Sequence, residues 1–127
     1  MSFNWKSYLQ LADELIKHQN PAIPQEAYWW RSAVSRSYYG VFCIARSFLI
    51  RHGITIPRVN THKFVREAYL NSQNTVERKI GKELGDLWLQ RKDADYEDRA
   101  VFDVKRATNA YQVASRILHR LASMGAI

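Results

Sequence analysis

The stretch QRKDADYED, residues 90–98, gathers two cations, four carboxylates and a tyrosine where an apolar helical face runs out. That face comprises Val76, Ile80, Leu84, Leu87 and Trp88, and Arg91 projects to its middle. A guanidinium there needs a carboxylate or an anion, or must sit past the core where water reaches it. Arg91, Asp95 and Tyr96 could converge on a phosphate or ribose: arginine offers paired bonds to an oxyanion, and tyrosine a hydrogen bond or a stacking face. The plainer reading is a charged helix end. A cation near a helix C-terminus is favoured by the macrodipole by about 0.3 to 1 kcal/mol. Aspartate is a natural residue of the turn that follows, and a tyrosine ring can plug a bundle end. On the residues alone both readings stay open.

Other residues join this candidate site. Lys92 follows Arg91 directly, and His62 falls in the first turn of a further helix, where free backbone N–H groups favour anions. A lone histidine there is otherwise a capping or surface residue. Lys105, Arg106, Arg116 and Arg120 fall within about a 100° arc of the last helix, a basic stripe that either meets phosphates or faces water. His18, His52, His62 and His119 form no HxxxH, HExxH or CxxC pattern, so no metal and no cofactor is expected. Cys43 lies in an apolar run and reads as a packed thiol.

Five helices must position these groups. The first is predicted from about Phe3 to Gln19, with Trp5, Leu9, Ala12, Leu15 and Ile16 inward, stopped by Asn20-Pro21. The second runs from Pro24 to about His52, with Gly53 after it. Its apolar face (Trp30, Val34, Tyr38, Val41, Ala45, Phe48, Leu49) is broad enough for the central helix of a bundle, and Ala33 and Ser37 allow close approach. Asn60 or Thr61 caps the third, which runs to about Asn71. Asn74 and Glu77 stand in capping-box register for the fourth, which runs to about Arg91, so Asp95 and Tyr96 fall in the following turn. Gly81 and Gly85 suit close helix packing. The fifth spans about Arg99 to Ser123, with Val104, Tyr111, Ala114, Ile117, Leu118 and Leu121 inward.

No stretch alternates as a strand does, and no repeat or linker appears. The expectation is an all-α, five-helix up-down bundle with residues 1–127 as one domain. The formal charge is +7, with residues 99–127 carrying five Lys/Arg against Asp103 alone. Such an excess favours a polyanionic partner, nucleic acid first, or serves solubility alone. One cysteine, no signal-peptide pattern and no apolar run near the roughly 18 residues of a membrane helix point to a cytoplasmic protein without membrane association.

The run SRSYYGVFCIARSFL, residues 35–49, resembles the second-helix signature of HEPN domains (higher eukaryotes and prokaryotes nucleotide-binding). RKDADY, residues 91–96, resembles the arginine-led stretch closing the fourth helix of that family, and THKFV, residues 61–65, the beginning of its third. The resemblance implies a homodimeric helical bundle. It further implies a toxin or defence protein acting on RNA as a metal-independent ribonuclease, beside a minimal nucleotidyltransferase antitoxin. The alternative it implies is a non-catalytic nucleotide-binding module that docks that partner and accepts a nucleotidyl group on Tyr96. The family's ribonuclease motif is an arginine, four to six residues, then a histidine. Here Arg91 matches and Tyr96 stands where the histidine is expected, so proton transfer would fall to Tyr96, Asp95 or His62. A helix-turn-helix across NSQNT is a weaker reading, because the apolar face of helix four is consumed by the bundle.

Overall fold

The computed structural model describes residues 3–18, 20, 22–25 and 30–127. Among these, five helices and no strand are present: α1 (Lys6–Lys17), α2 (Arg31–Arg51), α3 (Thr61–Leu70), α4 (Thr75–Tyr96) and α5 (Val104–Ser123). No helix of the described residues is long and apolar enough to cross a membrane. The all-α five-helix bundle is the one expected.

The helix α2 is the axis of the bundle. Twelve of its 21 residues are buried, including Val34, Tyr38, Val41, Ala45, Phe48 and Leu49, because α1, α4 and α5 all pack on it. Ala33 and Ser37 are fully buried, as close approach requires. The predicted start at Pro24 depends on residues 26–29, which lie outside the described residues. So do Trp29, and Gln19 and Pro21 at the predicted end of the first helix.

Two tyrosines tie α3 to α2. Tyr69 donates its hydroxyl to the Ala45 carbonyl at 2.7 Å, and Tyr38 Oη lies 2.6 Å from His62 Nδ1. The other side of α3 lies against α4 at Gly81. A Cβ built there would stand 2.6 Å from the Leu70 amide nitrogen and 3.0 Å from the Arg66 carbonyl oxygen, so only glycine permits this approach. Asn74 caps α4 by accepting from the Glu77 amide at 3.1 Å, as predicted. Neither Asn60 nor Thr61 caps α3 with its side chain: Asn60 adopts left-handed backbone (φ 55°), and the Thr61 hydroxyl bonds back to the Pro57 carbonyl.

Two helix boundaries differ from the sequence expectation. The last helix begins at Val104, not near Arg99, because the Asp103 side chain accepts from the Arg106 amide at 2.8 Å. Val104 therefore sits beyond the packed end and is exposed, and the buried face is Ala107, Ala110, Ala114, Ile117 and Leu121. The fourth helix continues through Tyr96, so Asp95 and Tyr96 occupy its last turn and not the linking turn. Arg31 makes this extension stable. Its Nη1 donates to the carbonyls of Asp93, Ala94 and Glu97 (3.3, 3.2 and 2.9 Å), and its Nη2 to that of Ala100 at 2.6 Å. These include carbonyls the end of a helix leaves unpaired, at the negative pole of its dipole. Arg31→Ala is expected to cost about 2 to 3 kcal/mol, as the loss of charge-assisted hydrogen bonds does. It should also fray α4 back towards Arg91. Urea unfolding and amide hydrogen exchange at residues 93–97 measure the two effects; an unchanged midpoint with unchanged protection would show that water serves these carbonyls equally well.

Candidate anion site between α2, α3 and α4

Arg91 sits one turn before the end of α4, with its side chain only 12% exposed. Three side chains hold it. Its Nε lies 2.9 Å from Asp95 Oδ2, one helical turn on, and Asp95 is itself bonded by the Ser35 hydroxyl at 3.3 Å. Its Nη2 donates to the Tyr39 hydroxyl in a short bond, and its guanidinium carbon lies 5.0 Å from the centre of the Tyr39 ring and 5.4 Å from that of Tyr96. The contact with Asp95 is ionic. The Nε–H itself finds no aligned acceptor.

Beside it opens a cavity of about 570 Å³, roofed by the start of α3. Its charged walls are Arg58, Lys63, Arg66 and Arg91, with His62 and Trp88 between them. Among the described residues no carboxylate lines it. Arg66 stacks over Trp88 (4.9 Å to the ring centre) and leaves Nη1 buried without a partner; the buried Nε of Arg46, on α2, is likewise unpaired. Buried guanidinium nitrogens without acceptors are costly in a folded protein, and an anion in the cavity would satisfy that of Arg66, which lines it.

His62 completes the cluster, brought there by α3 from 29 residues upstream of Arg91. Its ring stacks on Phe42 (centroids 4.3 Å apart) and meets the edge of Tyr39. Burial lowers its pKa below the usual histidine value, and the charges of Arg91, Arg66 and Arg46 lower it further. Burial also holds the phenols of Tyr38 and Tyr39 above their ordinary range, against the pull of nearby arginines.

The remaining sequence candidates divide. Lys92 lies over the outer edge of this region, 5.2 Å from the centre of the Trp88 ring, and Tyr96 is 65% exposed beside Arg91. The basic stripe of α5 is not gathered into the cavity, nor does it all face water. Arg106 pairs with Asp93 and Gln90 of α4 (2.9 and 2.7 Å), while Arg116 and Arg120 share Glu83 (3.0 and 2.8 Å). Lys105 and Arg116 are exposed, and Arg106 and Arg120 are half-buried. Among the described residues no three His, Cys, Asp or Glu side chains gather as metal ligands do. Reasoning from sequence missed Arg66, Tyr39 and Arg31. The aromatic pair Tyr38-Tyr39 carried the family resemblance, but no spacing rule linked either tyrosine to Arg91 or His62.

The HEPN domain family model matches residues 6–124, a span that takes in all five helices. The chain belongs to the HEPN domain family. No curated protein and no solved structure matched the chain. The cationic cavity of this HEPN domain is compatible with a nucleotide-binding or ribonuclease-like module.

The depressed pKa of His62 has a consequence for stability. Between that value and about 6.5, the value of an unperturbed histidine, the unfolded chain binds a proton that the folded chain refuses. Stability contributed by His62 is therefore present above about pH 6.5 and lost as pH falls through the folded value. Urea midpoints between pH 5 and 8 should fall on the acid side more steeply for the wild type than for His62→Gln. Parallel profiles would mean that His62 titrates alike in both states.

Proposed function

We propose that this HEPN protein binds RNA through the α2–α3–α4 cavity and cleaves it without a metal ion. The observation that carries the reading is the buried, unpaired Arg66 Nη1 in a cavity walled by Arg58, Lys63, Arg66 and Arg91. A phosphodiester supplies the missing acceptor. RNA also carries its own nucleophile: the 2′-oxygen attacks the adjacent phosphorus, the bond from phosphorus to the 5′-oxygen breaks, and a 2′,3′-cyclic phosphate and a 5′-hydroxyl result. The 2′-proton leaves to water, and the departing 5′-oxygen takes one from water. The protein's part is to stabilise the charge that builds on the non-bridging oxygens, which Arg91 does with Arg66. Asp95 is engaged by Arg91 and Ser35, so it orients the guanidinium and is not a free base. On this reading the protein is the toxin of a toxin–antitoxin or defence pair, works as a homodimer, and is countered by a minimal nucleotidyltransferase.

Arg91→Ala should lower RNA affinity and turnover at least about tenfold, the value of one charge-assisted contact, with the helical signal retained. Arg91→Lys should rescue poorly, because an ammonium cannot form the paired contact. Removing Lys63 or Arg66 should each reduce the slope of log affinity against log salt by about 0.7 for a single strand. Oligonucleotide binding that ignores all three substitutions would remove the cavity from the interface.

One observation favours the second reading, in which the module docks a nucleotidyltransferase and accepts a nucleotide. The Tyr96 hydroxyl group belongs to a side chain 65% exposed, as an acceptor must be, and lies beside a guanidinium able to hold a donor's phosphates. Tyr96→Phe separates the two: it should leave RNA cleavage intact on the first reading and abolish nucleotidylation by a partner enzyme on the second.

A further inference from the structure

His62 places one ring nitrogen against the core and leaves the other for the cavity. Nδ1 lies 2.6 Å from the hydroxyl of Tyr38, a residue with no exposed surface. Which of the two atoms donates decides what the cavity meets. The Tyr38 phenol stays protonated at all ordinary pH, since burial raises its pKa more than Arg66 and Arg91 lower it. Its O–H has no acceptor among the described residues besides Nδ1. Were Nδ1 to carry the proton, the phenol would accept and its own buried hydrogen would be stranded. The favoured arrangement has the phenol donating to a bare Nδ1, which leaves the neutral ring's proton on Nε2.

We propose that Tyr38 is a positioning residue that fixes His62 as its Nε2–H tautomer, so that His62 offers the bound phosphate a hydrogen-bond donor and not a base. This rests on the anion-binding reading of the cavity. It assigns the imidazole a role different from proton abstraction, for which a bare Nε2 is required. The surroundings agree from each packed element. From α2 the ring faces Tyr38, Tyr39, Phe42 and Arg46; from its own helix Arg66; from α4 Arg91. The charged groups among them are all cations, which disfavour an imidazolium and leave a neutral donor at physiological pH. A donor at this position would add one N–H to the cations that line the cavity.

Nitrogen-15 spectra of the protein at pH 7.5 read the tautomer directly. The expected result is a protonated Nε2 and an unprotonated Nδ1 for His62, with the two forms mixing in Tyr38→Phe. A wild-type ring protonated on Nδ1, or a Tyr38→Phe spectrum identical to wild type, overturns the proposal. The second measurement uses a 2′-O-methyl RNA oligonucleotide for binding and its unmodified counterpart for cleavage. A glutamine amide can accept from Tyr38 and donate to phosphate, but it cannot take up a proton near neutral pH. His62→Gln should therefore keep most of the affinity and rate, while His62→Ala should lose about ten- to hundredfold, as when a hydrogen bond to a charged group is lost. If His62→Gln is as inactive as His62→Ala although it binds normally, the imidazole is a base and the proposal fails. If the tautomer is as expected but the wild type binds no oligonucleotide, the lock stands and it is the RNA reading of the cavity that falls.

Discussion

A cation buried on the apolar side of a helix dictates much of this structure. Arg91 needs a carboxylate in reach, and on a helix the residue four positions on shares its face. Asp95 can serve only if α4 persists through it. That persistence requires a group for the carbonyls at the helix end, and Arg31 reaches across from the first turn of α2 to provide it. The clamp therefore couples the beginning of the central helix to the end of α4. Remove it and the last turn, with Asp95 and Tyr96, loses its reason to be helical, and Arg91 loses the partner that orients it. The ion pair alone is not enough to hold the turn, since partly exposed i,i+4 pairs contribute only about 0.3 to 0.5 kcal/mol.

Much of the scaffold was legible in the residues. The breadth of the apolar face from Val34 to Leu49 announced a central helix, and Asn74 with Glu77 announced where α4 begins, because both signals act within a few residues of sequence. The end of α4 was not legible. Four acids and a tyrosine read locally as a turn, and the group that overrules them lies about 60 residues away in α2. The start of α5 was mistaken for a related reason: Arg99 fits the helical period, but the cap that sets the boundary is Asp103. The site divides in the same way. Arg91 declared itself by sitting wrongly on an apolar face. His62 and Arg66 gave no comparable sign, since their meeting with Arg91 depends on α3 lying against α4 at Gly81, a tertiary fact. The stripe on α5 shows the converse error, where a helical wheel gathers four cations but cannot see Asp93 and Glu83 on the neighbouring helix.

The distribution of acids decides where an anion can bind. Where α4 faces α5, Asp93 and Glu83 neutralise Arg106, Arg116 and Arg120. Where α4 faces α3, the cations Arg58, Lys63, Arg66 and Arg91 share a cavity with no carboxylate in its wall among the described residues. Net charge alone does not distinguish these two faces; the pairing does. Like charges held together raise the energy of the empty site, and an oxyanion relieves both the repulsion and the unsatisfied donors. Trp88 adds an aromatic surface, but with Arg66 at 4.9 Å and Lys92 at 5.2 Å from its ring centre, a base could stack there only by displacing a cation.

The tyrosine that replaces the expected histidine can be understood from helix geometry. Five residues along an α-helix turn the side chain by about 140°, so Tyr96 points away from the face that Arg91 shares with Asp95. It is correspondingly exposed, in contact with the guanidinium only through its ring. An imidazole at that position would border the same arginine from the solvent side. In this chain the imidazole comes from α3 and borders it from the cavity side, with one nitrogen committed to a buried phenol. The two arrangements are not chemically equivalent. A histidine open to water exchanges protons freely and suits acid–base work, whereas one held between Tyr38, Phe42 and three arginines has its proton fixed by its neighbours and suits recognition of charge. On the proposed reading, an imidazole committed to a buried phenol leaves the site to act by electrostatic stabilisation, for which the unpaired Arg66 nitrogen in the cavity wall is placed.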